Sequence, residues 1–284
     1  MSQSLLQIKN LRVAFSGVPI VKGIDIELRP GETLGIIGES GSGKSVTALA
    51  LSHLLPFNAQ RTADSFRFDG QDMNVADEKM VNGLRGSGWA MIFQDPVGAF
   101  NPVKRIDWHL KHVMARAAAS GRCTANQDAV ELLSAVGIKT PDRVLSSYPS
   151  QLSGGMLQRV LIAMVAAMRP KMIIADEPTT NLDKVIENQI LDLLAQIQKQ
   201  VGAAVILITH DLLVAQRTCN RIAVMYSGHL VETDTVDNIM NRPRHPYTRA
   251  LLESSRSLVR GDERLKEIPL ELKESLARDV KAIA

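Results

Sequence analysis

Residues 38–45 carry the residue types that bind phosphate. They read Gly-Glu-Ser-Gly-Ser-Gly-Lys-Ser and fit the pattern G-x-x-x-x-G-K-[ST]. The glycines let the backbone curl so that successive N–H groups point at one anion, and the helix that begins here adds its dipole. Lys44 is expected to reach the β- and γ-phosphates, and the Ser45 hydroxyl is expected to hold Mg²⁺. The predicted phosphate-binding residues are therefore Gly38, Glu39, Ser40, Gly41, Ser42, Gly43, Lys44 and Ser45.

A pair of carboxylates, Asp176 and Glu177, follows the apolar run 172–175. In proteins with such a phosphate loop, a carboxylate at a strand end holds Mg²⁺, and Asp176 suits that role. Glu177 suits a base that polarises an attacking water. Without the phosphate loop, a strand that runs into an acidic turn before Pro178 would explain the pair equally well.

Three further features indicate less when each is taken alone. Residues 152–159, Leu-Ser-Gly-Gly-Met-Leu-Gln-Arg, form a second glycine-containing loop that enters a helix. Its free N–H groups are available to another anion, but a plain helix start explains the same letters. Gln94 and His210 each follow an apolar strand, and a single Gln or His at such a place is usually structural.

The chain around these residues alternates between strands and helices. Residues 6–14 and 20–28 predict an antiparallel pair of strands, with Gly17 and Pro19 between them. Further strands are expected at 33–37, 90–93, 172–175, 204–208 and 222–226, and helices at 45–55, 128–136, 156–168 and around 190–197. The alternation predicts an α/β fold with a mostly parallel sheet covered on both faces. The pattern turns helical from about 96 to 168, and apolar residues at 272, 276, 280 and 283 predict a helical tail.

The composition is that of an ordinary globular protein. The 284 residues are 45% hydrophobic and 22% charged, which excludes disordered, collagen-like and disulfide-framework proteins. A net charge of +3 without a run of five like charges does not predict nucleic-acid binding. Cys123 and Cys219 are far apart and are expected to be free thiols. With no secretory signal and no apolar run long enough to cross a bilayer, a soluble cytoplasmic protein is expected.

In combination, these motifs resemble the ATPase subunit of an ATP-binding cassette (ABC) transporter over about residues 5–255, and they occur in that family's order. The resemblance implies that Phe15 stacks on adenine and that Gln94 contacts Mg²⁺ and the attacking water. It also implies that His210 senses the γ-phosphate. The implied catalytic residues are Glu177, His210 and Gln94, and the implied Mg²⁺ ligands are Ser45, Gln94 and Asp176.

The resemblance also implies a shared active site. Residues 152–156, called the signature loop below, would bind the γ-phosphate of ATP held by the opposite subunit. Asp183 would lie in a loop that crosses the dimer interface. The signature-loop residues expected to touch nucleotide are Ser153, Gly154 and Gly155.

The architecture and partners of that family follow as expectations. The core would be an ABC-type P-loop ATPase with an N-terminal antiparallel β-subdomain and a helical subdomain at about 97–165. This ATPase domain would cover residues 1–255, and a helical tail would cover 256–284. The implied cofactors are ATP and Mg²⁺. The implied partners are a second, related ABC ATPase subunit, two membrane permeases and an external solute-binding protein, at the cytoplasmic face of the inner membrane.

Residues 93–102, 148–152 and 244–252 are similar to the peptide/nickel importer group of that family. A short tail without a cysteine cluster, together with Asn181, slightly favours nickel or another metal chelate over di- or oligopeptides. Two other classes stay open. A non-transport ABC ATPase of translation or DNA repair shares the ATP motifs but usually carries a second cassette or a coiled coil. A metabolic kinase would leave residues 152–159 unexplained.

Overall fold

The computed structural model describes residues 4–121 and 128–260. In chain order these residues form β1 (Leu6–Phe15), β2 (Val18–Leu28), β3 (Thr33–Ile37), α1 (Lys44–Leu51), β4 (Ala59–Thr62), β5 (Ser65–Phe68), β6 (Gln71–Asp72), α2 (Glu78–Leu84), β7 (Trp89–Ile92), α3 (Ile106–Ala119), α4 (Ala129–Ala135), α5 (Pro141–Ser146), α6 (Gly154–Met168), β8 (Met172–Asp176), α7 (Lys184–Val201), β9 (Ala204–Thr209), α8 (Leu212–Thr218), β10 (Arg221–Tyr226), β11 (His229–Thr235), α9 (Val236–Asn241) and α10 (Pro246–Arg260).

The larger sheet positions the predicted site. Its strand order is β11-β10-β3-β9-β8-β7, with all neighbours parallel except the edge strand β11. Every residue of β3, β8 and β9 is buried, as expected of parallel strands covered on both faces. The carboxyl ends of these three strands meet at one edge, where ligands bind in open α/β sheets. The phosphate loop, the pair Asp176–Glu177 and His210 each follow one of them.

The second sheet is antiparallel and comes from the N-terminal part of the chain. Strand β1 pairs with β2, β4 and β5, and β6 extends β5. Residues of β1 alternate between buried and exposed over much of its length, so one face of this sheet closes over the core. The predicted antiparallel pair is confirmed.

Two layers of apolar side chains cover the larger sheet. Ile174 of β8 and Ile206 of β9 belong to a core shared with the antiparallel sheet and α1. Their neighbours Ile173 and Leu207 belong to a core shared with α3, α4, α6 and α7. The alternation follows from the period of two along a strand. The predicted α/β fold with a helical subdomain is confirmed, while the domain bounds stay predictions.

Several element ends differ from the sequence prediction, most clearly that of α1. This helix ends at Leu51 rather than at residue 55. The Ser52 hydroxyl bonds back to the Ala48 carbonyl, and His53 has a left-handed φ of 54°, so the helix stops before Pro56 acts. The short strands β4, β6 and β11 were not predicted because each lacks a run of apolar residues.

Some predictions fall outside the described residues. These are the apolar stripe at 272, 276, 280 and 283, most of the tail 256–284, and Cys123. Cys219 is a free thiol, as predicted. Over residues 4–121 and 128–260, no helix joins the length and apolar composition that a bilayer span requires.

Candidate active site

The phosphate loop runs from the end of β3 into the first turn of α1. A Cβ atom at Gly38 would lie 2.1 Å from the Met225 carbonyl oxygen, and one at Gly43 would lie 2.9 Å from Met225 Cε. Gly43 also has a φ of +108°, which side chains rarely adopt. Both positions therefore require glycine because β10 passes directly beside the loop. At Gly43 the backbone conformation is a second reason.

Lys44 points into this loop. It is only 5% exposed, and its Nζ donates to the carbonyl oxygens of Gly38 at 2.9 Å and Glu39 at 2.8 Å. Burial lowers the pKa of Lys44, while the carboxylates of Glu177, Asp176 and Glu39 act in the opposite direction. The carbonyl oxygens of the loop already accept hydrogen bonds from the buried ammonium and so replace part of its hydration. A phosphate that replaces these acceptors therefore gains a charge-assisted hydrogen bond without further burial of the cation.

Ser45 and Asp176 form a pair of oxygen ligands beside the loop. Ser45 Oγ donates to Asp176 Oδ1 at 3.1 Å. Asp176 is 6% exposed, and burial raises the pKa of its carboxyl against the opposing hydrogen bond from Ser45. Mg²⁺ commonly takes one or two protein oxygens and completes its shell with phosphate and water. The pair fits such an ion, because a hydroxyl oxygen and a buried carboxylate lie side by side there.

Ser45 and Asp176 supply two oxygen ligands of the protein's own. Among the residues that the structure describes, no group of three or more His, Cys, Asp or Glu is placed to hold an ion. The Ser45–Asp176 pair therefore suits a cation that takes its remaining ligands from bound phosphate and water.

Glu177 occupies a strained backbone position next to this pair. Its φ is 45°, a region that residues other than glycine seldom occupy. Its N–H donates to the Ile208 carbonyl at 2.9 Å, which ties the turn after β8 to the end of β9. Strain of this kind is kept where the surrounding structure fixes it, often at functional sites.

The Glu177 carboxylate gathers three side chains on one oxygen. Its Oε2 lies 3.3 Å from Gln94 Nε2, 2.7 Å from Thr180 Oγ1 and 3.3 Å from His210 Nδ1. The structure thus brings together the three residues predicted as catalytic. Thr180 was missed by the sequence analysis, although its place three residues after an acid in a turn is a usable signal.

A cavity of about 630 Å³ opens at this edge of the sheet. Its lining joins part of the phosphate loop to the Glu177 cluster and includes Ser40, Gly41, Gly43, Lys44, Ser45, Gln94, Glu177 and His210. Asp176 lies behind Ser45, and Ser42 is buried within the loop. The cavity has the size of an ordinary small-molecule site.

The signature loop lies apart from that cavity. Ser153 caps α6 by accepting a hydrogen bond from the Met156 N–H at 3.3 Å, and Gly154 and Gly155 begin the helix. A Cβ at Gly155 would come within 3.0 Å of Ile186 Cγ2, so glycine allows α6 to approach α7 there. Ser153 and Gly154 are exposed and do not line the cavity that contains Lys44.

Asp183 is also exposed and serves α7 as its N-cap. Its Oδ1 accepts from the N–H groups of Val185 at 3.0 Å and Ile186 at 2.9 Å. Two residues earlier, Asn181 has a left-handed φ of 64°, a conformation that Asn tolerates better than most residues. The asparagine at 181 thus suits the backbone conformation of this loop.

Phe15 is not brought to the cavity lining. It ends β1 half-buried, pairs with Val18 and Ala59, and packs at the margin of the core. Its predicted contact with adenine stays a prediction.

Comparisons with known proteins agree on one family. The profile described as ABC transporter matches residues 21–180, and that of the oligopeptide/dipeptide transporter C-terminal region matches residues 231–279. The oligopeptide transport ATP-binding protein OppD of Bacillus subtilis (strain 168) is 43% identical over 271 residues, which are 93% of this chain and 76% of that protein. The dipeptide transport ATP-binding protein DppD of Escherichia coli (strain K12) is 42% identical over 270 residues, 94% of this chain and 83% of that protein.

Solved structures give the same result. The dimeric post-hydrolysis state of the ATP-binding cassette MJ0796, bound to ADP and Pi, matches with a TM-score of 0.68 and 25% identity, over 81% of this chain and 98% of that chain. The resemblance drawn from the motifs is confirmed, and neither the kinase nor the non-transport alternative is favoured. With both profiles matched in order along the chain and the phosphate loop joined to the Glu177 cluster, the protein belongs to the ABC transporter family as one of its ATP-binding, ATP-hydrolysing chains.

Proposed function

We propose that this chain hydrolyses Mg²⁺-bound ATP at the cavity beside Lys44 and that this hydrolysis powers the import of short peptides. The observation that carries the proposal is the Glu177 carboxylate, one oxygen of which lies within 3.3 Å of both Gln94 and His210. A carboxylate so placed, next to a phosphate-binding loop, suits a base that acts on water at a terminal phosphate.

ATP binding depends on the phosphate loop. The Lys44 ammonium exchanges the carbonyls of Gly38 and Glu39 for phosphate oxygens, and the N-terminus of α1 adds its dipole. Phe15, half-buried at the end of β1, is the proposed stacking partner of adenine. Ser45, Gln94 and Asp176 would hold Mg²⁺, which would supply positive charge opposite the phosphates.

Catalysis depends on the residues around Glu177. Its carboxylate accepts a hydrogen bond from the attacking water and orients it toward the γ-phosphate. Gln94, Thr180 and His210 fix the carboxylate through its Oε2. His210, exposed at the cavity rim, also donates to the γ-phosphate. Since these groups are in place before ATP binds, little reorganisation is needed during the reaction.

The site is completed by a second cassette. Ser153, Gly154 and Gly155 lie outside the cavity of their own chain, and Ser153 stands exposed at the N-terminus of a 15-residue helix. This placement suits contact with the nucleotide of the opposite subunit, with Asp183 at the interface. The proposed assembly is a heterodimer with a related ATPase chain, two permeases and an external solute-binding protein, at the cytoplasmic face of the membrane.

Peptides are the proposed cargo of that assembly. Both relatives named above carry oligopeptide or dipeptide transport in their descriptions, and residues 231–279 match a C-terminal region described in the same terms. The expectation that nickel or another metal chelate is preferred rests on the short tail and Asn181 alone. We therefore favour peptides over nickel as the transported substrate. The proposed ATPase domain covers residues 1–255, and the proposed tail covers residues 256–284.

Uptake measured in cells tests this proposal. The gene is deleted, and uptake of a labelled dipeptide and of radioactive nickel is followed with and without a plasmid copy. The proposal predicts loss of dipeptide uptake that the wild-type copy restores and a Glu177→Gln copy does not. Loss of nickel uptake alone would replace the peptide assignment with the metal one, and unchanged uptake of both would refute each.

A further inference from the structure

The start of α10 is fixed to the edge strand β11 by one carboxylate. Glu232 accepts hydrogen bonds from the N–H groups of Arg244 at 2.8 Å and His245 at 3.0 Å. His245 Nδ1 in turn accepts from the Tyr247 N–H at 3.2 Å. These contacts hold the backbone at the start of α10, and Tyr247 lies in the first turn of that helix.

Tyr247 is buried against the phosphate loop. Its side chain is 0% exposed, and its ring lies 4.5 Å from that of Tyr226, the last residue of β10. Its hydroxyl oxygen accepts a hydrogen bond from the Glu39 N–H at 3.2 Å, across 208 positions of sequence. Burial raises the pKa of Tyr247 to about 12, so the phenol stays neutral at physiological pH.

The contact reaches the first residues of the glycine-rich loop. Gly38 precedes Glu39, and Gly41 and Gly43 follow it; glycines lose the most conformational freedom on ordering. The Glu39 carbonyl is held by Lys44, but that bond must break when Lys44 turns to phosphate. The bond from the Glu39 N–H to Tyr247 need not break.

We propose that Tyr247 is a positioning residue that holds the phosphate loop in its anion-binding shape, and that the C-terminal region thereby sets the affinity for ATP. The inference rests on the proposed nucleotide site. A loop already fixed before binding loses less entropy when ATP enters, so its affinity is higher. The hydroxyl acts only through the Glu39 peptide and touches no reacting atom.

The test compares Tyr247→Phe with wild type in the assembled transporter. The variant keeps the ring and removes only the hydroxyl. The expected result is an ATP KM raised about three- to tenfold, the effect of losing one hydrogen bond, with kcat within about twofold. Amide hydrogen exchange of residues 38–43 without nucleotide should become faster, and saturating ATP should remove that difference.

Tyr226→Phe is the matched control, because it removes a hydroxyl from the neighbouring ring and leaves the Glu39–Tyr247 bond in place. It should raise the KM for ATP less than Tyr247→Phe does. An equal rise of KM in both variants would assign the effect to the aromatic pair and overturn the proposal. An unchanged KM and unchanged exchange in Tyr247→Phe would overturn it as well.

A second variant covers the case in which Tyr247→Phe does not fold. Glu232→Gln weakens the attachment of α10 and leaves both rings intact, so it should raise the KM for ATP in the same direction. An unchanged KM would count against the inference. If the wild-type complex itself bound no ATP, the proposed function would fail instead, so the two failures are distinguishable.

Discussion

Ser45 and Asp176 lie 131 positions apart in the sequence, yet the hydroxyl of one donates to the carboxylate of the other at 3.1 Å. Ser45 lies in the first turn of α1, which follows β3, and Asp176 ends β8; only β9 separates these two parallel strands. The bond therefore depends on the strand order, and it joins the phosphate loop to the strand that carries the proposed catalytic acid–base residue.

Glu177→Gln is expected to retain ATP binding and to lower turnover by about 10²-fold or more, because the amide no longer accepts a proton from water. The neutral side chain also repels the γ-phosphate less, so an ATP-bound dimer should accumulate. Nucleotide binding and steady-state hydrolysis are measured in the assembled complex. Glu78→Gln, a change at an exposed glutamate at the start of α2, is the control. Wild-type turnover in Glu177→Gln would remove this residue from the mechanism.

Ser153→Arg is expected to abolish hydrolysis at the nucleotide site of the partner subunit, while the isolated chain still binds ATP. Ser153 lies outside the cavity of its own chain, so a bulky cation there should block only the nucleotide of the partner. Ser134→Arg, at an exposed position of α4, tests for general effects of the added charge. A collapse of ATP affinity in the isolated Ser153→Arg chain would place the signature loop in its own pocket.

Asp176→Asn is expected to stabilise the protein in the absence of Mg²⁺ and nucleotide. Burial raises the pKa of Asp176 above its ordinary value of 3.8. The stability contributed by the protonated form is thus complete below pH 3.8 and is lost as pH rises through the folded-state pKa. At neutral pH the wild-type carboxylate is charged and buried, which costs folding free energy, and the neutral amide of Asn avoids that cost. Each 1 kcal/mol of this cost that is removed should raise the melting temperature by about 2–4 °C.

Bound Mg²⁺ and ATP should instead stabilise wild type more than the variant. With saturating Mg²⁺ and ATP, wild type should gain more in melting temperature than Asp176→Asn, because only the carboxylate supplies a charged ligand. An equal gain in both proteins would contradict the assignment of Asp176 to the cation.

Gly38→Ala is expected to destabilise the protein by at least about 3 kcal/mol, since the new Cβ would overlap a backbone oxygen that cannot rotate away. Gly17→Ala is the matched comparison. Its φ is +83°, against +158° at Gly38, and a Cβ there meets nothing within 4 Å, so its cost should stay at about 1 kcal/mol. Chemical denaturation of both variants measures the difference. Equal losses would show that backbone strain alone, rather than the contact with Met225, requires glycine at 38.

The parts of the site that the sequence predicted are those carried by short contiguous motifs. The phosphate loop and the carboxylates after β8 were predicted from residue type, spacing and the ends of apolar runs. That Gln94 and His210 belong to the same site as Glu177 was implied only by the family resemblance, because each side chain alone indicates little, and their contacts with the Glu177 carboxylate were not predicted. The Tyr247–Glu39 contact was not predicted, since only the packing of α10 on the sheet brings those residues together. The end of α1 was missed because local bonds of Ser52 outweighed the helical pattern.

Transport by the purified complex shows whether ATP hydrolysis by this chain drives peptide across the membrane. The complex, with its solute-binding protein and a labelled dipeptide, is placed in vesicles, and ATP hydrolysis and peptide accumulation are followed together. We expect the loaded binding protein to stimulate hydrolysis, peptide to accumulate only with Mg²⁺ and ATP, and Glu177→Gln to abolish both. Peptide accumulation at the wild-type rate in vesicles that contain Glu177→Gln would contradict this expectation.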